Sequence, residues 1–197
     1  MKNFERFINF SDAVIAIAVT LLVLPLVERA ASSNIDTYSK FVSSFGNLLF
    51  IFLLSFVVVC RYWEVHHDLF STLKSFNIRL FWLNAAWLAS IALIPFTSEL
   101  IGSNGNSVFI TSCYIGSLLI TSYIGVAIQW EIVHSPSLQK PSAPKSLNST
   151  YGLASAVAMT LALVISILFP KVGVWALLLL IPAGYASKVL HDKNVSR

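Results

Sequence analysis

The segment Arg6–Leu26, RFINFSDAVIAIAVTLLVLPL, constrains this chain more than any other. After Asp12 no charged side chain follows until Glu28. An apolar run of about 20 residues has the length a helix needs to cross a bilayer. Arg6 and Asp12 at its start are therefore costly unless they face protein and find partners. The same solvent is implied for the rest of the chain. Hydrophobic residues make up 56% of it, charged residues only 11%, and the mean hydropathy is +0.77. A soluble domain carries about 25% charge, so this chain cannot cover itself with polar groups in water.

The first segment also admits a signal-peptide reading, with Lys2 and Arg6 ahead of the apolar run and a cleavage site near Ala31 in ERAASS. Asp12 and Pro25 inside it fit poorly, and further spans follow. Cys60 and Cys113 both sit in apolar runs and read as small hydrophobes, not a disulfide framework. The net charge of +4 comes without a basic patch interleaved with aromatics, so no nucleic-acid partner is expected. No metal or organic cofactor is expected either.

Six spans are predicted: about 4–27, 38–67, 75–99, 107–133, 147–169 and 172–190. GSNGN (102–106) and FPKVG (169–173) read as turns. HSPSLQKPSAPKS (134–146), with three Pro, four Ser and two Lys, reads as an exposed flexible linker. With the N-terminus inside, ten Lys and Arg fall on cytoplasmic segments and three (Arg29, Lys40, Lys171) on outer ones. The expectation is an all-α membrane protein of one domain over 1–197, with six transmembrane helices and both termini cytoplasmic. Continuous apolar runs, without ten-residue alternation, favour helices over a barrel.

At 100° per residue, Phe10 and Leu24 lie within about 20° of Ile17, Leu21 about 40° to one side and Thr20 about 60° to the other. Glu28 returns to within about 20° of the same line, while Asp12 lies about 140° away and Ser11 about 120° in the opposite sense. One stripe therefore reads Phe10, Ile17, Thr20/Leu21, Leu24, Glu28. Lipid contact, helix packing or a pore wall all fit such a stripe from periodicity alone. Arg6 also projects close to it. Asp12 and Ser11 read as latch residues tied to neighbouring helices. The second span ends in CRYWEVHHDLF (60–70), which brings His66 and His67 to the depth of Asp12 as candidate partners. Adjacent His residues diverge on a helix and no HExxH spacing occurs, so hydrogen bonding is the better reading than zinc. There is no nucleophile set, no phosphate loop, no Arg ladder and no TVGYG filter. An enzyme is not expected.

Arg6-x-x-x-Phe10-Ser11-Asp12 followed by AVIAIAVTLLVLPL resembles the first-helix signature of the transmembrane protein 175 family of potassium channels. YWEVHH (62–67) and IPFTSELIG (94–102) resemble that family's second and third helix ends. The resemblance implies a homotetramer in the prokaryotic plasma membrane, its central pore lined by the first helix. It implies an apolar constriction at Ile17, Leu21 and Leu24, with Thr20 adding a hydroxyl layer and Glu28 at the outer mouth. It also implies a structural network of Arg6, Phe10, Ser11, Asp12, Trp63, His66 and His67. The resulting function is a potassium-favouring cation channel whose only small-molecule partners are permeant monovalent cations. A proton-conducting leak channel or a small secondary transporter is the alternative.

Overall fold

The structure is a computed structural model that describes residues 2–104, 107–142 and 150–179. It is helical along most of that length. Four segments are long and apolar enough to cross a membrane: Phe4–Ser32, Tyr38–Ser71, Ile78–Ser103 and Val108–His134. The first is made of two helices, α1 (Lys2–Leu21) and α2 (Leu24–Ser32), separated by a turn at Leu22 and Val23. Then come α3 (Tyr38–Ser71), α4 (Ile78–Asn104), α5 (Val108–His134) and the shorter apolar α6 (Thr150–Leu168). Of the sixth predicted span, the described part forms a 3₁₀ segment, Gly173–Leu179, and 180–190 lies outside the described residues. The expected turn at 102–106 is described only up to Asn104.

At 1.5 Å per residue, α3 is about 50 Å long, well beyond a hydrocarbon core of about 30 Å. Its polar end, Arg61 to Asp68, can therefore stand outside the lipid. The α2–α3 connection is polar, and Lys40 bridges Asp36 one helical turn away. That ammonium holds the exposed Asp36 carboxyl below its ordinary range.

α4 is the centre of the bundle. It packs against α1, α3 and α5, while α5 carries α6 on its other side. Ile91, Ile94, Tyr114, Ile115 and Leu118 fill the α4–α5 seam and are fully buried. Polar side chains stitch the same seams. Tyr114 OH lies 2.9 Å from Ser55 Oγ, and Tyr62 OH donates to the Leu118 carbonyl at 2.7 Å. Thr121 donates to Ser90 at 3.0 Å. Such inter-helix bonds contribute about 0.6 kcal/mol each in membrane bundles. They set helix register more than they set stability.

The α4 start is capped by Asn77, whose Oδ1 accepts from Leu80 N at 2.7 Å and whose amide donates to Glu131 Oε1 at 2.7 Å. The same end of the bundle corrects the linker expectation. Lys74 N donates to Leu138 O at 2.9 Å and Lys140 N donates to Thr72 O at 2.8 Å, with Leu138 buried between. The stretch from Ser135 to Lys140 is thus pinned against the α3–α4 connection. Pro and Ser content signals exposure to water. It carries no information about the backbone pairing of two neighbouring loops. Residues 143–149, the rest of that linker, lie outside the described residues.

Candidate functional site

Because α1 sits at the edge of the bundle, only one of its faces is used internally. Phe4, Ser11, Ile15, Ala18 and Leu22 are buried, each 9% exposed or less. They recur at spacings of seven, four, three and four, as one face of an α-helix does. Phe7 stacks on Phe76 with ring centroids 4.6 Å apart, which fixes the start of the helix against the α3–α4 connection. The opposite face is bare within the chain. Phe10 is 62% exposed, Ile17 60%, Leu24 49% and Leu21 42%. Arg6, Thr20 and Glu28 are exposed along the same line. The stripe drawn from helical periodicity is therefore the unpartnered face, and Ser11 is on the buried side.

Behind the stripe lies a polar network. Asn84 is its hub: its Nδ2 donates to Ser11 Oγ at 2.8 Å, and its Oδ1 lies 2.7 Å from His66 Nε2. Three helices, α1, α3 and α4, meet at this one amide. Since Asn84 Oδ1 can only accept, the proton of that contact is on His66 Nε2. The imidazole is sandwiched between the Phe70 ring (4.1 Å) and the Trp87 ring (4.3 Å). Ser11 also donates to the Phe7 carbonyl at 3.1 Å. Asn84 is the strongly polar residue at mid-depth of its span. That solitude is the signal: an amide deep in an apolar helix has to bond across helices.

Asp12 makes a separate contact. Its Oδ1 accepts from Trp63 Nε1 at 3.0 Å. This replaces the expected pairing with His66 or His67. On α3 the side chains of residues 63 and 67 share a face, and Trp63 reaches Asp12 with its indole N–H. His66 is turned by about 60° toward α4, where Asn84 takes it. His67 is exposed and touches Trp63 by ring contact at 5.6 Å. Phe10 and Arg6 do not join the network. Phe10 belongs by geometry to the exposed stripe, and Arg6 has no hydrogen-bond or ion-pair partner among the described residues. Arg61 pairs locally with Glu64, an exposed contact of small energetic weight. Among the described residues no three His, Cys, Asp or Glu side chains come together as metal ligands.

The upper part of the stripe crosses the α1–α2 break. Leu22 N and Val23 N turn to the Val19 and Thr20 carbonyls, three residues back, at 3.3 Å each. The Thr20 hydroxyl donates to the Ile17 carbonyl at 2.7 Å. Pro25, in the first turn of α2, has no N–H to continue the ladder.

These features define a helical membrane protein with an unpaired apolar face on α1 backed by a buried polar latch. A family model described as endosomal/lysosomal potassium channel TMEM175 matches residues 6–95, which contain both the stripe and the latch. A potassium channel of Chryseobacterium sp. (strain P1-3) is 29% identical over 193 residues, covering 95% of this chain and 97% of that one. The endosomal/lysosomal proton channel TMEM175 of Danio rerio is 21% identical over 150 residues, but this chain spans only 29% of its length. The crystal structure of a lysosomal potassium-selective channel TMEM175 homolog from Chamaesiphon minutus aligns with a TM-score of 0.76 at 20% identity, over 95% of this chain and 99% of that one. The chain is similar to the TMEM175 family of ion channels over residues 6–95 and to a bacterial potassium channel over nearly its whole length.

Proposed function

We propose that this chain is a potassium-favouring cation channel of a prokaryotic plasma membrane, built as a homotetramer around four copies of α1. The observation that carries the reading is the bare stripe at Ile17, Leu21 and Leu24, opposite a packed face on the least buried of the four candidate spans. In four copies, rings of these side chains would line a narrow apolar tube. Such a tube closes by dewetting, because an ion that enters must shed water with little to replace it. A small tilt of α1 would open it. Glu28, exposed on the stripe beyond Leu24, would concentrate cations at the outer mouth. The bacterial relative named a potassium channel supports the choice of ion. Lys and Arg bias supports both termini in the cytoplasm.

The latch has a different role. The Ser11–Asn84–His66 and Asp12–Trp63 contacts hold α1 at a fixed rotation, so that the stripe and not the buried face points to the axis.

Reconstitution in proteoliposomes tests the reading. Gradient-driven, non-saturating potassium flux is the expected result. Saturable coupled exchange would make the protein a transporter. Proton flux without potassium flux would favour the activity in the zebrafish relative's name.

A further inference from the structure

A cavity of about 320 Å³ lies between α3, α5 and α6, and none of its lining residues is on α1. α3 forms one wall with Val58 and Val65, α6 another with Met159, and α5 the floor with Gly125 and Ile128. His66 of α3 and Trp87 of α4 complete the lining. Val57 and Arg61 also border it and are exposed, so the cavity opens on the outer surface of α3. A buried water needs only about 10–15 Å³ of such space, and apolar cavities stay dry or take apolar guests. This one is lined mainly by apolar side chains and has the size of a small-molecule site.

Two polar groups in its wall lack partners. Trp87 is 3% exposed and His66 4%. The Trp87 indole N–H donates to no group among the described residues. His66 gives its Nε2–H to Asn84, which leaves Nδ1 as an acceptor, and no described group donates to it. Neither nitrogen is sealed in: among the described residues, Glu99 Oε2 is the only fully enclosed side-chain polar atom without a partner. Both therefore keep accessible surface, and in side chains this buried that surface belongs to the cavity they line. A Cβ built on Gly125 would lie 3.7 Å from Trp87 Nε1, which puts the indole N–H at the cavity floor.

An unpaired buried polar group is costly, and a donor beside an acceptor defines the chemistry that relieves both. A carboxylate can accept from Trp87 but sets its charge against the His66 lone pair. An ammonium can donate to His66 but cannot accept from Trp87. A neutral hydroxyl does both. We propose that the cavity binds a neutral alcohol with an apolar body, which enters from the bilayer. Its hydroxyl accepts from Trp87 Nε1–H and donates to His66 Nδ1, and its chain lies against Val58, Val65 and Met159. The site is separate from the proposed ion route and does not depend on it. It shares the His66 ring with the latch, so an occupant stands two hydrogen bonds from α1, through Asn84 and Ser11.

The test uses the full chain in lipid nanodiscs with the photoreactive alcohol 3-azioctanol, its adducts mapped by peptide mass spectrometry. Adducts on the α3 and α6 residues of the cavity are expected. At equal concentration in the bilayer, 1-octanol should compete about five-fold or more better than octane, which fills the same space but pairs neither nitrogen. Trp87→Phe keeps a ring on His66 and removes the N–H, and it should abolish that advantage. Gly125→Leu fills the cavity from its floor and should abolish the adducts. If the variants do not assemble, the comparison of octanol with octane in the wild-type protein decides alone. Dioctanoylglycerol competing as well as octanol assigns the hydroxyl to a lipid, and octanol competing alone assigns it to a free alcohol; both support the site. No adduct in the wild-type cavity, octane competing as well as octanol, or an advantage unchanged in Trp87→Phe overturns the proposal and leaves the channel reading standing.

Discussion

Replacing Asn84 by Leu separates the latch from the ion route. The substitution keeps the number and branching of side-chain heavy atoms and removes both polar atoms at the meeting point of α1, α3 and α4. Ser11 loses one bond but still donates to the Phe7 carbonyl at 3.1 Å. His66 loses its contact at 2.7 Å while packed between Phe70 and Trp87, so its Nε2–H is left unpaired. An unpaired buried polar group costs about 1–3 kcal/mol, and an inter-helix bond in a bilayer is worth about 0.6 kcal/mol. The expected loss is about 1–2 kcal/mol per chain. For a chain of this size that lowers Tm by about 2–8 °C. The assay is thermal unfolding in detergent, followed by size exclusion to separate assembled from dissociated protein. Ser11→Ala should lower Tm by a similar amount, because it removes the Ser11 bonds to Phe7 and Asn84 and leaves the buried Asn84 Nδ2 without this partner. Protein that survives reconstitution should keep its ion discrimination, since Asn84 lies behind α1 and not on its bare face. An unchanged Tm would refute the hub role. Altered selectivity at unchanged Tm would refute the separation of latch from pore wall.

Three further outcomes follow from the same geometry. Ile17→Ala and Leu24→Ala should each raise leak conductance in planar bilayers by widening the apolar rings, and unchanged currents from assembled protein would count against the stripe as pore wall. Trp63→Phe removes the only side-chain donor to Asp12 among the described residues. Since this contact is partly exposed, the monomer should lose about 1 kcal/mol or less, read as a small Tm shift, whereas Asp12→Ala should reduce the tetramer yield on size exclusion without changing ion preference. In hydrogen exchange, the Lys74 and Lys140 amides should be protected like helix amides, because each donates across the two loops; fast exchange at both would contradict the pinned segment.

How much the sequence disclosed varied with the kind of interaction. Helical periodicity separated the two faces of α1 correctly, because burial in a bundle follows azimuth and azimuth follows sequence number. The bounds of α3 to α5 fell within a few residues of those expected, since lipid length and polar breakers fix them. Partner choice was less legible. Asp12 chose Trp63 over a histidine because the outcome depends on how α3 is rotated against α1, which no single helix pattern contains. Phe10 was placed in the polar network by family likeness, whereas its angle already put it on the stripe. Pro25 was legible as a residue without an N–H to give to the ladder. The consequence, a shift of the Leu22, Val23 and Leu26 N–H bonds to carbonyls three residues back, needs coordinates. The hub role of Asn84 needed coordinates too, although its polarity in an apolar span was visible.

The central claim is that the bare face of α1 encloses the ion route. A single-particle reconstruction of the purified assembly in lipid nanodiscs addresses it directly. Four-fold density with Ile17, Leu21 and Leu24 nearest the axis is the predicted result. Density in which those side chains face the nanodisc lipids, with another helix at the centre, would contradict it.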